Sequence, residues 1–446
     1  MFYLGSACFR WFAVNRRSGY NALWSEASPR PRNERLHPTG RFRSGTSCAS
    51  GIKSLRDIIP PAPSKKGRVF IFGGSMALKE VSIPNTIIHN SPPPLIEVSG
   101  THREMGQQIG EARREQVQHS VANAQVLLEQ AYGTLELTWE GAQIQSRKYL
   151  PFAEERYPQY VDEWRGIAEG ANVPFNELVT LNVMEAVTVD ALHLTRCTSF
   201  AVNEERTADG HILAAHNEDW VPEDENDVYV VSAKPDNEPP YLAMTYGGLL
   251  PNVGFNAYGI AQLIDSVYPN DSRIGIPRLI VARAVLAAKR LSGAIGRTLV
   301  KHRAAGYNHL LVHESGELYS VEASARKFEI LHGTDGYIVH TNHYLTDTMK
   351  RIEHEPEEII SSRVRYFRAN RLLRQSSEHT IKSLQAIQKD HVNLPNSICN
   401  HNIQGIDPLD RESTICALVI DLTAREMHIV WGNPCQNAYH TYHLKD

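Results

Sequence analysis

The chain has 446 residues, 42% of them hydrophobic, and a formal net charge of -4. That is ample for a core and lacks the basic balance a nucleic-acid partner calls for. No run of about 18 apolar residues occurs, so a transmembrane helix is excluded on length. The charge is uneven: residues 1–75 hold 13 Lys+Arg against 3 Asp+Glu, and the remainder is acidic.

Residues 1–75 are rich in Arg, Ser, Pro and Gly and lack periodicity beyond patches such as Arg68-Val69-Phe70-Ile71-Phe72. Such a segment cannot bury enough apolar surface to offset its ordering entropy, so disorder is expected over residues 1–90. Two origins fit it: an organelle transit peptide, or a gene-model extension ahead of a true start at Met76, which is the preferred reading. An extended stretch follows at residues 94–98. Then Met105, Ile109, Ala112, Val117, Val121 and Leu128 recur at mostly three- to five-residue steps, which predicts one amphipathic helix. Gly106 and Gly110 lie one turn apart on it; because a helix glycine costs about 1 kcal/mol relative to Ala, close packing is the expected reason for them. Further helices are predicted between Leu150 and Val189, with breaks at Tyr157-Pro158 and Val173-Pro174. Residues 91–196 thus read as a mainly helical segment.

Arg196 to Val202, a turn at Ala208-Asp209-Gly210, and His211 to Trp220 form a predicted hairpin with Cys197 at the outer end of its first strand. If the Arg196-Cys197 bond were cut, Cys197 would carry both a thiol and a free α-amine, whose reference pKa near 8 suits a general base at neutral pH. Thr198 and Ser199 could hydrogen-bond around the new terminus. The residues alone leave open the commoner case of a buried structural cysteine. Strands are predicted at residues 228–231 and 241–246, helices at 279–291 and around 294–301, and a second hairpin at 308–314 and 317–323. A strand end leads from Ile338 to Asn342, residues 358–390 are helical, and strands at 415–420 and 427–431 close the chain. Six cysteines (Cys8, Cys48, Cys197, Cys399, Cys416, Cys435) show no C-x-x-C pair, so neither a zinc site nor a disulfide framework is indicated. Cys399, Cys416 and Cys435 read as core or loop residues, and a reducing, cytoplasmic location is expected.

Cys197-Thr198-Ser199-Phe200, Asp209-Gly210-His211 and His216-Asn217-Glu218-Asp219-Trp220 resemble the start of the mature chain in penicillin acyl-CoA acyltransferases and their relatives, peptidase family C45 of the cysteine N-terminal-nucleophile hydrolases. Val253-Gly254-Phe255-Asn256, His340-Thr341-Asn342-His343, Ser397-Ile398-Cys399 and the stretch from Ser413 to Pro434 resemble further family motifs in the same order. The resemblance spans roughly residues 95 to 435, and Gly100, Gly106 and Gly110 match its opening. It implies an α/β (α+β) fold, a four-layer αββα sandwich, in which 91–196 and the catalytic segment 197–446 make one domain. It also implies self-cleavage before Cys197, with Asp219 near the α-amine and Asn342 donating to the oxyanion. His340 and His343, without a third ligand nearby, read as structural. No metal or cofactor is expected. Two departures stand out: Arg196 replaces the usual Gly before the nucleophile, which implies slower or more strained cleavage. Asn400 and His401 stand where the pattern has Arg after Ser-Ile-Cys.

The expected function is hydrolysis of an amide in a small N-acyl compound through a thioester. One alternative is acyl transfer from a CoA thioester at the same site; another is an uncleaved relative that only binds. No nucleic-acid or membrane partner is expected, and the sequence is silent on oligomeric state.

Overall fold

The computed structural model describes residues 87–188, 196–354, 359–403, 409 and 411–445. The expectations for the first 86 residues, including disorder and a start at Met76, lie outside the described residues. Its strands are β1 (Leu95–Gly100), β2 (Arg196–Val202), β3 (Leu213–Trp220), β4 (Val228–Pro235), β5 (Tyr241–Tyr246), β6 (Val253–Asn256) and β7 (Ile260–Ser266). They continue with β8 (Tyr307–His313), β9 (Leu318–Ala323), β10 (Phe328–His332), β11 (Tyr337–His340), β12 (Ser413–Asp421), β13 (Glu426–Trp431) and β14 (Tyr439–His443). The helices are α1 (His102–Ala112), α2 (Arg114–Gln130), α3 (Tyr132–Leu135), α4 (Trp139–Ser146), α5 (Leu150–Arg156) and α6 (Pro158–Ala171). After them come α7 (Phe175–Val187), α8 (Arg278–Val285), α9 (Leu291–Thr298), α10 (Asp347–Lys350), α11 (Ile360–Arg374) and α12 (Ile381–Gln388).

The strands form two sheets, one in the order β1-β4-β5-β6-β7-β8-β9-β10 and the other β11-β2-β3-β12-β13-β14. All pairings are antiparallel except β1 with β4. Phe200, Val202, Leu213 and Ala215 of the second sheet pack against Ala369, Leu373, Leu384 and Ile387 of α11 and α12. Ile260, Leu311 and Val321 of the first sheet pack against Val285 and Ala294 of α8 and α9. Between the sheets, Ser199 of β2 donates to Asp265 of β7 at 2.8 Å. Each sheet therefore has one face on the other sheet and one on helices, which is the expected four-layer sandwich. Strands buried on both faces carry near-continuous apolar runs, as β12, buried at every position, does from Ile415 to Ile420.

Local chemistry sets the element ends. Thr101 and Glu104 form a reciprocal capping box at the start of α1. Pro158 occupies the first turn of α6, and Asn172 ends it in the left-handed conformation. Gly106 and Gly110 of α1 face Gly166 and Gly170 of α6: a Cβ on Gly106 would sit 2.2 Å from the Glu163 carbonyl oxygen, and one on Gly166 2.2 Å from that of Arg103. The two backbones touch, as the spacing predicts.

Several boundaries differ from expectation. The single helix over residues 105–128 is two, because Arg113 leaves helical geometry at φ -122°, ψ 30°. The 279–291 helix stops at Val285, and the 358–390 helix is α11 and α12 with a turn between. Just ahead of residue 91, His89 stacks on Trp431 at 4.1 Å and meets Glu225 at 2.9 Å. Among the described residues, no helix is long and apolar enough to cross a membrane.

Candidate active site

The register of β2 and β3 sets Arg196 opposite Asp219, Cys197 opposite Glu218, Thr198 opposite Asn217 and Ser199 opposite His216. Alternation then divides these residues between two faces. Cys197, Ser199, His216 and Glu218 face the other sheet. Arg196, Thr198, Asn217 and Asp219 face α11 and α12.

On the first face Cys197 is buried, with Sγ 3.9 Å from Glu218 Oε2. Glu218 also meets His216 Nε2 at 2.8 Å and accepts from the Tyr246 hydroxyl at 3.2 Å. His216 Nδ1 lies 2.9 Å from Ser199 Oγ, so a hydrogen-bonded chain runs from the thiol to Asp265. Burial pushes the thiol well above its usual pKa, and the carboxylates of Glu218, Asp265 and Asp219 add to the effect. The thiol is neutral at pH 7.

The Cys197 nitrogen, a peptide N–H in the uncut chain, donates to Asn342 Oδ1 at 2.8 Å. Arg365 Nη2 donates to the same oxygen at 2.8 Å, while its Nη1 donates to the Cys197 carbonyl and, at 2.9 Å, to Thr198 Oγ1. One buried guanidinium thus clamps the Cys197 backbone and its amide partner. The oxyanion role expected of Asn342 requires its Nδ2, and that nitrogen donates to the Ser266 carbonyl at 3.0 Å. In this geometry Asn342 orients the Cys197 nitrogen instead.

Asp219 lies on the far face from the thiol. Its Oδ1 accepts from Thr414 at 2.6 Å, and its Oδ2 has no hydrogen-bond partner among the described residues. Burial is the chief reason its carboxyl is pushed up to about 7; Glu218 adds to the rise and Arg365 opposes it. Arg196 pairs with Glu412 at 2.7 Å on the same side. His340 and His343 enter separate networks. His340 meets Glu322 at 2.9 Å; burial lowers its pKa, but that bond together with the charges of Glu322 and Asp265 outweighs burial and raises it. His343 is held down to about 3, chiefly by burial, and bonds Ser362 at 2.8 Å.

A cavity of about 860 Å³, counting the open solvent at its mouth, reaches the thiol; Glu218, Trp220, Tyr246, Met184 and Tyr307 line it. Among the described residues its one lining cation is Arg278, which is paired with Glu185 at 2.7 Å; Asp224, bonded to Trp220, adds another acid. The described lining is mostly apolar, and its acids are Glu185, Glu218 and Asp224.

Glu218, His216 and Arg365 are site residues that the sequence reading did not single out. The hairpin alternation could have found Glu218 had the register been known, but the connection from 203 to 212 leaves register open. Nothing in the pattern of α11 distinguishes a buried Arg from the exposed ones around it.

Comparison with known proteins places the chain among enzymes that are linear-amide hydrolases or acyltransferases. A family model described as acyl-coenzyme A:6-aminopenicillanic acid acyl-transferase matches residues 205–436, more than half of the chain, and the chain belongs to that family. Asp219 and Asn342 fall within the match, and Cys197 lies just before it. The chain is 25% identical over 342 residues to the 40 kDa form of acyl-coenzyme A:6-aminopenicillanic-acid-acyltransferase of Emericella nidulans, covering 76% of this chain and 92% of that protein. It is 28% identical over 221 residues to the beta-alanyl-dopamine/carcinine hydrolase of Drosophila melanogaster, over 45% of this chain and 56% of that protein. Among solved structures it matches a variant of the conjugated bile acid hydrolase of Clostridium perfringens at TM-score 0.39 and 12% identity, over 56% of this chain and 97% of that one. Penicillin V acylase of Agrobacterium tumefaciens matches at TM-score 0.36 and 16% identity, over 53% and 83%.

Proposed function

We propose that this protein is an N-terminal-nucleophile amidohydrolase that cuts itself before Cys197 and hydrolyses small N-acyl compounds through a thioester. The observation that carries the reading is the pairing of Cys197's two functional atoms with different partners. Its nitrogen sits on Asn342, and its sulfur lies beside Glu218 where both line a cavity.

In maturation, Sγ attacks the Arg196 carbonyl carbon, its proton passes to Glu218, and the C–N bond breaks as the Cys197 nitrogen takes a proton. Water then hydrolyses the resulting ester of the thiol, leaving an Arg196 carboxylate and a free α-amine. In turnover that amine, oriented by Asn342 Oδ1, takes the thiol proton. The thiolate attacks the substrate carbonyl, and the protonated amine product leaves. A second water breaks the thioester. Asn342 Nδ2 becomes an oxyanion donor only by exchanging the Ser266 carbonyl for the substrate oxygen. Asp219, behind the strand, orients the cluster around Arg365.

The pocket favours hydrolysis over CoA-dependent transfer, because its lining cation is already engaged by Glu185 and acids outnumber it. The same acids suit a substrate carrying an ammonium group, and the β-alanyl amides in the insect relative's name are the first compounds to test. A reducing, cytoplasmic location, which keeps the thiol available, belongs to the same proposal.

Mass spectrometry of the purified protein tests maturation: a fragment beginning Cys-Thr-Ser-Phe is expected, and Cys197→Ala should give one uncut chain. Release of amine from a β-alanyl amide without CoA should fall more than 1,000-fold in Cys197→Ala. An uncut wild-type chain with full activity overturns the reading.

A further inference from the structure

We propose that His391, Cys399, His401 and Cys435 form a structural zinc site, separate from the nucleophile. The first three lie in the segment between α12 and β12, and Cys435 follows β13. Their four donor atoms all lie within 4.8 Å of one another. His391 Nε2 and His401 Nε2 are 3.0 Å apart, and each cysteine sulfur is 3.5 Å from His401 Nε2. A tetrahedral ion with Zn–N of about 2.0–2.1 Å and Zn–S of about 2.3 Å requires N–N edges of about 3.3 Å and N–S edges of about 3.6 Å. The observed edges fall within about 0.3 Å of that figure.

Hydrogen bonding alone does not account for the convergence. An imidazole nitrogen has either one lone pair or one proton, so His401 Nε2 can serve one partner, yet three crowd it. An ion at the centre satisfies all four at once. Two sulfurs and two imidazoles in a compact tetrahedron select zinc among common divalent ions, and four protein ligands leave no open position for water. Asn433 Nδ2 approaches Cys399 Sγ at 4.0 Å and donates to the Asn400 carbonyl at 2.6 Å, supporting the ligand loop from outside. The burial is graded: Cys399 and His401 are buried, His391 and Cys435 half-buried, so an ion has a route in.

The site braces the wall behind the nucleophile. The ligand loop carries the Ile398 carbonyl, which accepts from Asn217 at 2.9 Å, and the Asn400 N–H, which donates to Thr414. Thr414 in turn holds Asp219. Fixing the loop to the turn after β13 therefore fixes the backing of β2 and β3. The ligand spacing, seven residues, then one, then thirty-three, matches no compact zinc motif, which is why the cysteines read as unrelated in the sequence.

The test uses the full chain purified without a metal-affinity column. Elemental analysis should find about one zinc per chain, and Cys399→Ser with Cys435→Ser should reduce it at least tenfold. A membrane-permeant zinc chelator should lower the wild-type melting temperature by roughly 5 °C or more, reversed by added zinc. Cobalt substitution of the wild type gives a readout that does not depend on the variants folding: thiolate-to-cobalt charge-transfer absorption with tetrahedral visible bands is expected. Wild-type protein without zinc that neither binds added zinc nor shows the cobalt bands overturns the proposal. So does a Cys399–Cys435 disulfide in the non-reduced protein.

Discussion

Arg365 is fully buried and, among the described residues, forms no ion pair; its guanidinium is satisfied by the Cys197 carbonyl, Thr198, Ser361 and Asn342. Arg365→Met should lower kcat/KM roughly 100-fold and destabilise by about 3–5 kcal/mol, since it leaves buried acceptors unpaired. Arg365→Lys, which keeps charge but not the fork, should recover stability more than activity. Steady-state kinetics alongside thermal melts separates the two effects. Asp219 allows a pH test. Its carboxyl is pushed from an ordinary 3.8 up to about 7 by burial, so the folded state favours the protonated form. Its contribution to stability is full below about pH 4 and is lost as pH rises through about 7. Melting curves of Asp219→Asn from pH 4 to 8 should therefore fall less steeply with pH than those of the wild type. An unchanged slope would place the buried charge elsewhere.

Among the elements, periodicity was a good guide to existence and a poor one to ends. The β2–β3 hairpin, β8–β9 and β12–β13 were legible because alternating or continuous apolar runs flank turn residues such as Gly210 and Gly316, both at positive φ. The break at Arg113 was not, because no Pro or Gly marks it and the apolar stripe continues across it. Strands β10 and β14 were missed for a related reason: they are short edge strands with no buried residue, so their sequences lack a core-facing run. Cys197, Asp219 and Asn342 could be picked out through motifs, whereas Glu218 and Arg365 reach the site only through register and tertiary packing. The α1–α6 contact is the sharpest case where local sequence spoke for packing. A Cβ at Gly110 would lie 2.3 Å from the Ile167 carbonyl oxygen, so Gly110→Ala must push two backbones apart. A loss of about 1–3 kcal/mol or more, seen as a melting temperature lower by several degrees, is expected. Gly133→Ala in α3 meets nothing within 4 Å and should be neutral or mildly stabilising.

Cleavage before Cys197 would leave two polypeptides, and the whole molecule bears on whether they stay together. β1, from the first, pairs along its length with β4 of the second. Glu163 of α6, fully buried, joins His102 at 2.8 Å to Arg283 of α8 at 3.1 Å, so one ionic network crosses from the first piece to the second. Burial disfavours the Glu163 carboxylate, but Arg283 and His102 more than compensate and hold its pKa below the usual range; for His102 the Glu163 and Glu238 bonds outweigh burial and raise it. The Glu163 contribution is present above about pH 4.5 and lost as pH falls through its depressed value. The His102 contribution is present below about pH 6.5 and lost as pH rises through its elevated one. Both hold together in mildly acidic solution. The cut protein should therefore elute as one species on a native sizing column and separate only in denaturant, with the midpoint highest between those limits. Glu163→Gln removes one charge of a buried pair and should bring separation to a lower denaturant concentration, by an amount equivalent to about 3–5 kcal/mol. Pieces that part on the column without denaturant would show that the shared sheet and this network do not hold the cleaved enzyme together.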